Sequence, residues 1–251
     1  MALIRSKDNA QVKRWAKLAR DGRYRRSEGR ALIEGPHLLA ALLEHGLKAQ
    51  ALIATEEAVD RKEISDLIRQ SRLIPTLLTK SLFESIADAE TPQGLAAEIE
   101  IPKPKATEGD HVFLEGVQDA GNVGAILRTA AAFGVSTVVL DRACADPWSP
   151  KVLRAAMGGH FALSIRQTSG LVAELEGFRG QVVCTVSTGG VPLKDARFSH
   201  PLGWIFGSEG KGASEAVQEL SDVLVTISLA PGAESLNVAA AAAICLHRAM
   251  P

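Results

Sequence analysis

The chain has only three cysteines, Cys144, Cys184 and Cys245, an odd number at spacings that suit neither a zinc knuckle nor a disulfide framework. That scarcity predicts a reducing, cytoplasmic setting. The six histidines are scattered and pair with no second ligand at metal spacing, so no metal site is expected. No apolar run approaches the roughly 18 residues of a membrane span, and the opening residues lack the apolar core of a secretory signal. No membrane role is therefore expected. Internal repeats and low-complexity tracts are also missing, and Tyr24 is the single tyrosine. What remains is an ordinary globular composition, 46% hydrophobic and 23% charged over 251 residues, enough for one large or two modest domains.

The net charge is only −1, yet it is unevenly spread. Residues 1–30 hold ten basic side chains against three acidic ones, an excess of seven positive charges. Such a concentration is a candidate phosphate-binding footprint, with a solvated helix face as the plainer reading. Arg23, Arg25 and Arg26 surround Tyr24 in what reads as a basic loop, a candidate RNA contact with one stacking ring.

Apolar spacing predicts a first helix from Asp8 to Arg20, with Val12, Trp15, Ala16 and Ala19 on one stripe. Strands near 31–34, 51–54, 73–78 and 95–101, with helices near 36–44, 61–70 and 81–87, make residues 1–101 a compact α/β unit. Residues 102–109, with two prolines, read as a linker. From 110 to 251 strands alternate with helices, near 111–117, 137–140, 161–165, 182–186, 204–206 and 223–229, which implies a mostly parallel sheet covered on both faces.

Three polar loops in this second part each follow a strand and precede a helix. They are Asp119-Ala-Gly-Asn-Val-Gly124, Phe206-Gly-Ser-Glu-Gly-Lys-Gly212 and Ile227-Ser-Leu-Ala-Pro-Gly-Ala-Glu-Ser-Leu-Asn-Val238. None is a dinucleotide fingerprint, a Walker A loop or a nucleophile elbow. Helix N-termini and small residues there expose backbone amides to a ligand. Asn122 and Asn237 could equally be simple helix caps, Glu209 a surface carboxylate and Arg128 a structural ion-pair partner.

Taken together, Asn122-x-Gly124 with Arg128-Thr-Ala, then the Gly207–Gly212 loop, then Ser235-Leu-Asn-Val, resemble the three motifs of the SpoU/TrmH family. These are RNA ribose 2′-O-methyltransferases of the SPOUT superfamily, and the likeness spans about Asp110 to Ala249. Leu32-Ile-Glu-Gly35 and the basic start resemble the substrate domain many of them carry, related to ribosomal proteins that bind kinked RNA. The resemblance implies a trefoil-knotted sheet, S-adenosylmethionine as cofactor and a homodimer built partly through the alanine-rich C-terminal helix. It implies that Gly207, Ile227, Leu229 and Leu236 hold the cofactor, and that Asn122, Arg128, Glu209, Ser235 and Asn237 form the catalytic centre. Glu209 is expected to bond Arg128 or the loop amides. Ser228, Ala239 and Ala120 depart from the family's usual proline, serine and proline. The implied substrate is structured RNA, ribosomal before transfer RNA; an RNA binder without catalysis is the rival of a different class.

Overall fold

The computed structural model describes residues 3–250. They fall into two compact units, one ending at Pro102 but including Trp148–Phe161, the other comprising Lys103–Pro147 and the chain from Ala162 onward.

The first unit runs β1 (Leu3–Ile4), α1 (Ala10–Arg20), α2 (Gly22–Glu28), β2 (Arg30–Glu34), α3 (Pro36–Glu44) and β3 (Ala49–Thr55). Then come α4 (Glu56–Val59), α5 (Lys62–Ser71), β4 (Thr76–Leu78), α6 (Lys80–Ile86) and β5 (Leu95–Glu100). The sheet order is β1-β4-β3-β5-β2, with β5 antiparallel to both its neighbours. Val12, Trp15 and Leu18 of α1 and Leu82, Phe83 and Ile86 of α6 pack with Leu32, Ile53 and Leu78 of the sheet. The expected strand at 73–78 shrinks to Thr76–Leu78, because Arg72 is left-handed and Pro75 has no N–H to give a ladder.

The expected basic loop is instead the helix α2. Asp21 caps it by accepting from the Arg23 and Tyr24 amides, and Gly29 at φ 61° ends it. Seven residues are too few to show an apolar period, so only these start and stop signals betray the helix. The consequence for Arg25 is direct. Its guanidinium turns inward onto the carbonyls of Leu18 and Ala19, satisfying the end of α1, and the residue is buried. Arg25 is therefore not a phosphate contact.

Glu98, buried in the middle of β5, fastens α1 to the sheet. It accepts from the Trp15 indole at 3.0 Å and from Arg14 at 2.8 Å, and Arg14 also reaches Glu28 of α2 at 2.7 Å. These bonds raise the Arg14 pKa further, so the guanidinium stays charged.

The second unit runs β6 (His111–Leu114), α7 (Ala120–Ala132) and β7 (Thr137–Asp141); α8 (Pro150–Ala156) follows in sequence but packs on β2 of the first unit. Then come β8 (Ser164–Thr168), α9 (Leu171–Gly177), β9 (Gln181–Thr185), β10 (Val191–Pro192), β11 (Leu202–Phe206), α10 (Glu215–Gln218), β12 (Val223–Thr226) and α11 (Val238–Arg248). The seven strands are all parallel, as the strand–helix alternation predicts, and the structure sets their order as β10-β12-β9-β11-β6-β7-β8. Phe113, Val139, Cys184 and Ile205 face α9 and α10 on one side. Val112, Leu114, Val138, Leu140, Trp204 and Phe206 alternate with them and are equally buried, so the opposite face is covered too. Burial pushes the Cys144, Cys184 and Cys245 thiols up to about 12, 11 and 12.

From Lys103 on, the expected linker belongs to this unit: Lys105 exchanges hydrogen bonds with the Ser164 hydroxyl at 2.9 Å in both directions, and Thr107 pairs with Thr137. The strand expected at 161–165 begins at Ser164, because Gly159–Ala162 winds one turn of 3-10 helix. Among the described residues no helix is long and apolar enough to cross a membrane, and no cluster of three metal-ligating side chains occurs.

Replacing Glu98 with alanine would leave the Trp15 N–H and part of the Arg14 guanidinium without an acceptor. We expect a loss of about 3 kcal/mol in urea unfolding and a smaller loss for Glu98→Gln, which keeps one acceptor. A loss well under about 1 kcal/mol in the alanine variant would show that this buried anchor is dispensable.

Candidate functional site

The three polar loops converge at the C-terminal ends of the parallel strands, and side-chain chemistry joins them. Asn237 caps α11: its Oδ1 accepts from the Ala239 and Ala240 amides at 2.9 and 3.2 Å. With the oxygen committed to the helix, its Nδ2 must point outward, and it donates to Asn122 Oδ1 at 2.8 Å. That bond in turn directs the Asn122 amide nitrogen to Glu209 Oε1 at 2.6 Å. A single directional chain thus links the third, first and second loops. Asn237 both caps α11 and bonds Asn122, whereas α7 is capped by Asp119, whose Oδ1 accepts from the Asn122 amide at 2.8 Å. Glu209 bonds Asn122 rather than Arg128 or the loop amides, which corrects the expectation from the sequence.

Arg128 lies in the second half of α7, exposed, with no hydrogen bond or ion pair to any described residue. The ion-pair reading of this residue falls away. A charged, planar guanidinium is left available to an outside anion.

The second loop folds tightly on itself. The Gly212 amide donates to the Ser208 carbonyl at 2.9 Å. A Cβ at Gly207 would lie 2.0 Å from Gly212 C and Ala213 N, so the loop itself demands glycine there. The third loop is longer than the sequence suggested. β12 stops at Thr226, because Thr226 pairs with Pro192 at the end of β10 and Val225 with Thr185 at the end of β9, beyond which no ladder partner remains. Ile227 and Leu229 therefore belong to a loop, not to a strand.

Between these loops lies a cleft of about 780 Å³, walled by Gly207–Ala213, Ser187–Gly189 and the third loop. Ile227, Leu229, Ser235 and Leu236 all line it, as do Gly207 and Glu209. Leu229 and Leu236 remain 37% and 39% exposed, two apolar side chains held open toward the cleft. Asn122, Arg128 and Asn237 are not among the cleft walls. The polar chain borders the cleft through Glu209 alone.

The residues expected to touch RNA divide. Arg23 and Arg26 are exposed on α2, Arg25 is buried, and Tyr24 is half-buried with the Lys17 ammonium 4.5 Å from its ring centre. A cation already covers that ring, which weakens Tyr24 as a stacking surface. Glu115, which no motif singles out, accepts two hydrogen bonds from Ser214 at the far end of the second loop. Nothing in the sequence signals it, since the strand expected at 111–117 encloses Glu115, whereas β6 ends at Leu114.

Comparison with known proteins agrees with this geometry. A profile of the SpoU rRNA Methylase family matches residues 110–247, and one of the MRM3-like substrate binding domain matches residues 9–97. The 23S rRNA (guanosine(2553)-2'-O)-methyltransferase RlmP of Bacillus subtilis is 35% identical over 98% of each chain. The 23S rRNA (guanosine-2'-O-)-methyltransferase RlmB of Shewanella oneidensis is 28% identical over 87% of this chain and 96% of its own. Among solved structures, the SpoU methyltransferase AviRb of Streptomyces viridochromogenes in complex with AdoMet superimposes with a TM-score of 0.84, at 26% identity and 96% and 98% coverage. The looped parallel sheet, its convergent motifs and these likenesses agree that the chain belongs to the SpoU rRNA methylase family.

Proposed function

We infer that the protein transfers a methyl group from S-adenosylmethionine to a ribose 2′-hydroxyl of ribosomal RNA. The observation that carries this reading is the Asn237–Asn122–Glu209 chain beside the cleft of about 780 Å³. The cleft falls within the range of small-molecule sites and offers apolar walls from Leu224, Ile227, Leu229 and Leu236 among loop backbone groups, which suits an adenosine with a polar tail. S-adenosylmethionine bound there would supply a methyl group already activated on a sulfonium.

The task left to the chain is in-line placement and removal of one proton. Arg128 is assigned to a phosphate of the target nucleotide and to charge developing on the ribose oxygen, since a guanidinium rarely gives up its proton. Asn122 and Asn237 hold the first and third loops in register with Glu209, and Ser235 offers a hydroxyl at the cleft wall. Arg128→Ala should lower the single-turnover methylation rate at least a hundredfold while calorimetric binding of S-adenosylmethionine stays within about twofold of wild type. Equal loss of cofactor binding would reassign Arg128 to the fold, and a wild-type protein that binds no S-adenosylmethionine would sink the reading altogether.

Target choice is assigned to the substrate domain, supported by its basic start and its match to a substrate-binding profile. With Arg25 buried, only Arg23 and Arg26 of the α2 trio can meet phosphate. Replacing both with alanine should flatten the salt dependence of RNA binding by about two units and leave cofactor affinity unchanged. An unaltered slope would make this face ordinary solvated surface.

A homodimer and a knotted chain path complete the proposal. α11 buries Val238, Ala242, Cys245 and Leu246 and packs on α7, but leaves Ala240, Ile244 and His247 on an exposed stripe. The small Ala240 and the apolar Ile244 on that stripe suit a second copy. Light scattering at micromolar concentration should report a dimer, and an active monomer would refute it.

A further inference from the structure

Glu115 is the first residue past β6 and lies outside all three motifs. Its amide donates to the Phe206 carbonyl at 3.0 Å. Its carboxylate accepts twice from Ser214, through Oε2 from the backbone N–H and through Oε1 from the hydroxyl, both at 2.7 Å. Ser214 stands at the N-cap of α10, yet its hydroxyl goes to Glu115 and makes no bond to the helix amides. Phe206 and Ser214 are the two residues that flank Gly207–Ala213. Both ends of the cleft-lining loop are therefore fastened to one side chain and its own backbone.

Within that hoop the remaining restraints are the Gly212–Ser208 hydrogen bond and the close approach of Gly207 to the backbone of Gly212 and Ala213. The exposed tip carries Glu209, which must meet Asn122. A glycine-rich loop with three of its seven residues glycine loses much backbone entropy on ordering. A charged acceptor engaged twice at the loop's base offsets part of that cost before any ligand arrives. Neither Glu115 nor Ser214 lines the cleft.

We propose that Glu115 is a positioning residue for the cofactor site, acting through Ser214 to hold the Gly207–Ala213 loop in its binding form. The proposal rests on the cofactor reading above. It assigns to a strand end that precedes the first motif a role in ordering the loop of the second.

The test measures S-adenosylmethionine affinity by calorimetry, thermal stability and single-turnover methylation in the full-length protein. Glu115→Ala should weaken cofactor binding about tenfold, as loss of hydrogen bonds to a charged group implies. Glu115→Gln should stay within about twofold, since its amide oxygen can accept from the Ser214 N–H while its amide nitrogen donates to the Ser214 hydroxyl. Ser214→Ala, which loses one of the two bonds, should weaken binding about threefold, and the double alanine variant should be no weaker than Glu115→Ala alone. Wild-type affinity in Glu115→Ala, equal loss in Glu115→Gln, or additive losses in the double variant would each overturn the proposal. If Glu115→Ala does not fold, unchanged affinity in Ser214→Ala overturns it and the threefold loss with rescue by Glu115→Gln upholds it. A wild-type protein that binds no S-adenosylmethionine overturns the functional reading, and this inference with it.

Discussion

The amide ends of a helix need acceptors, and in this protein that need aligns the site. Asn237 gives its oxygen to the first turn of α11 and is left with a donor facing outward. Asn122 can receive that donor only with its own oxygen, which turns its nitrogen to Glu209. The direction of every bond in the chain follows from the cap. Each exposed bond of this type contributes on the order of 1 kcal/mol, so the chain orients the loops more than it holds them. Its value is geometric: one helix end sets the relation of three segments distant in sequence.

Holding falls to backbone and packing. Gly207 lies where any side chain would collide with the loop's own backbone, and the parallel ladder from β6 to β11 delivers Glu115 and Phe206 side by side. β12 ends where its neighbours run out of hydrogen-bonding partners, which releases Ile227 and Leu229 into a loop that can wrap a ligand. The cleft is thus the place where a fully paired sheet stops being paired, the usual setting for ligands at the carboxyl ends of parallel strands.

The first unit applies the same economy to charge. Among its many cations, Arg25 and Arg14 serve structure: one caps the carbonyls of α1 and the other joins Glu28 and buried Glu98. Arg23 and Arg26 lie on the exposed side of α2. A basic run is accordingly not a uniform patch, and helical rotation decides which members face inward.

The sequence by itself determined the fold class, the alternation into a parallel sheet, and the loops that matter, because period, caps and glycines are local properties. The family resemblance carried by Asn122, Arg128, Gly207–Gly212 and Ser235–Val238 was legible for the same reason. What tertiary structure decided was pairing and direction. The seven-residue helix α2 was too short for a period, so the inward turn of Arg25 stayed hidden. The partner of Glu209 is 87 residues away, and the bond between Asn122 and Asn237 spans 115. Glu115 has no motif at all, and acquires its place only because β6 and β11 run parallel and in register, bringing two strand ends together that the chain keeps about ninety residues apart.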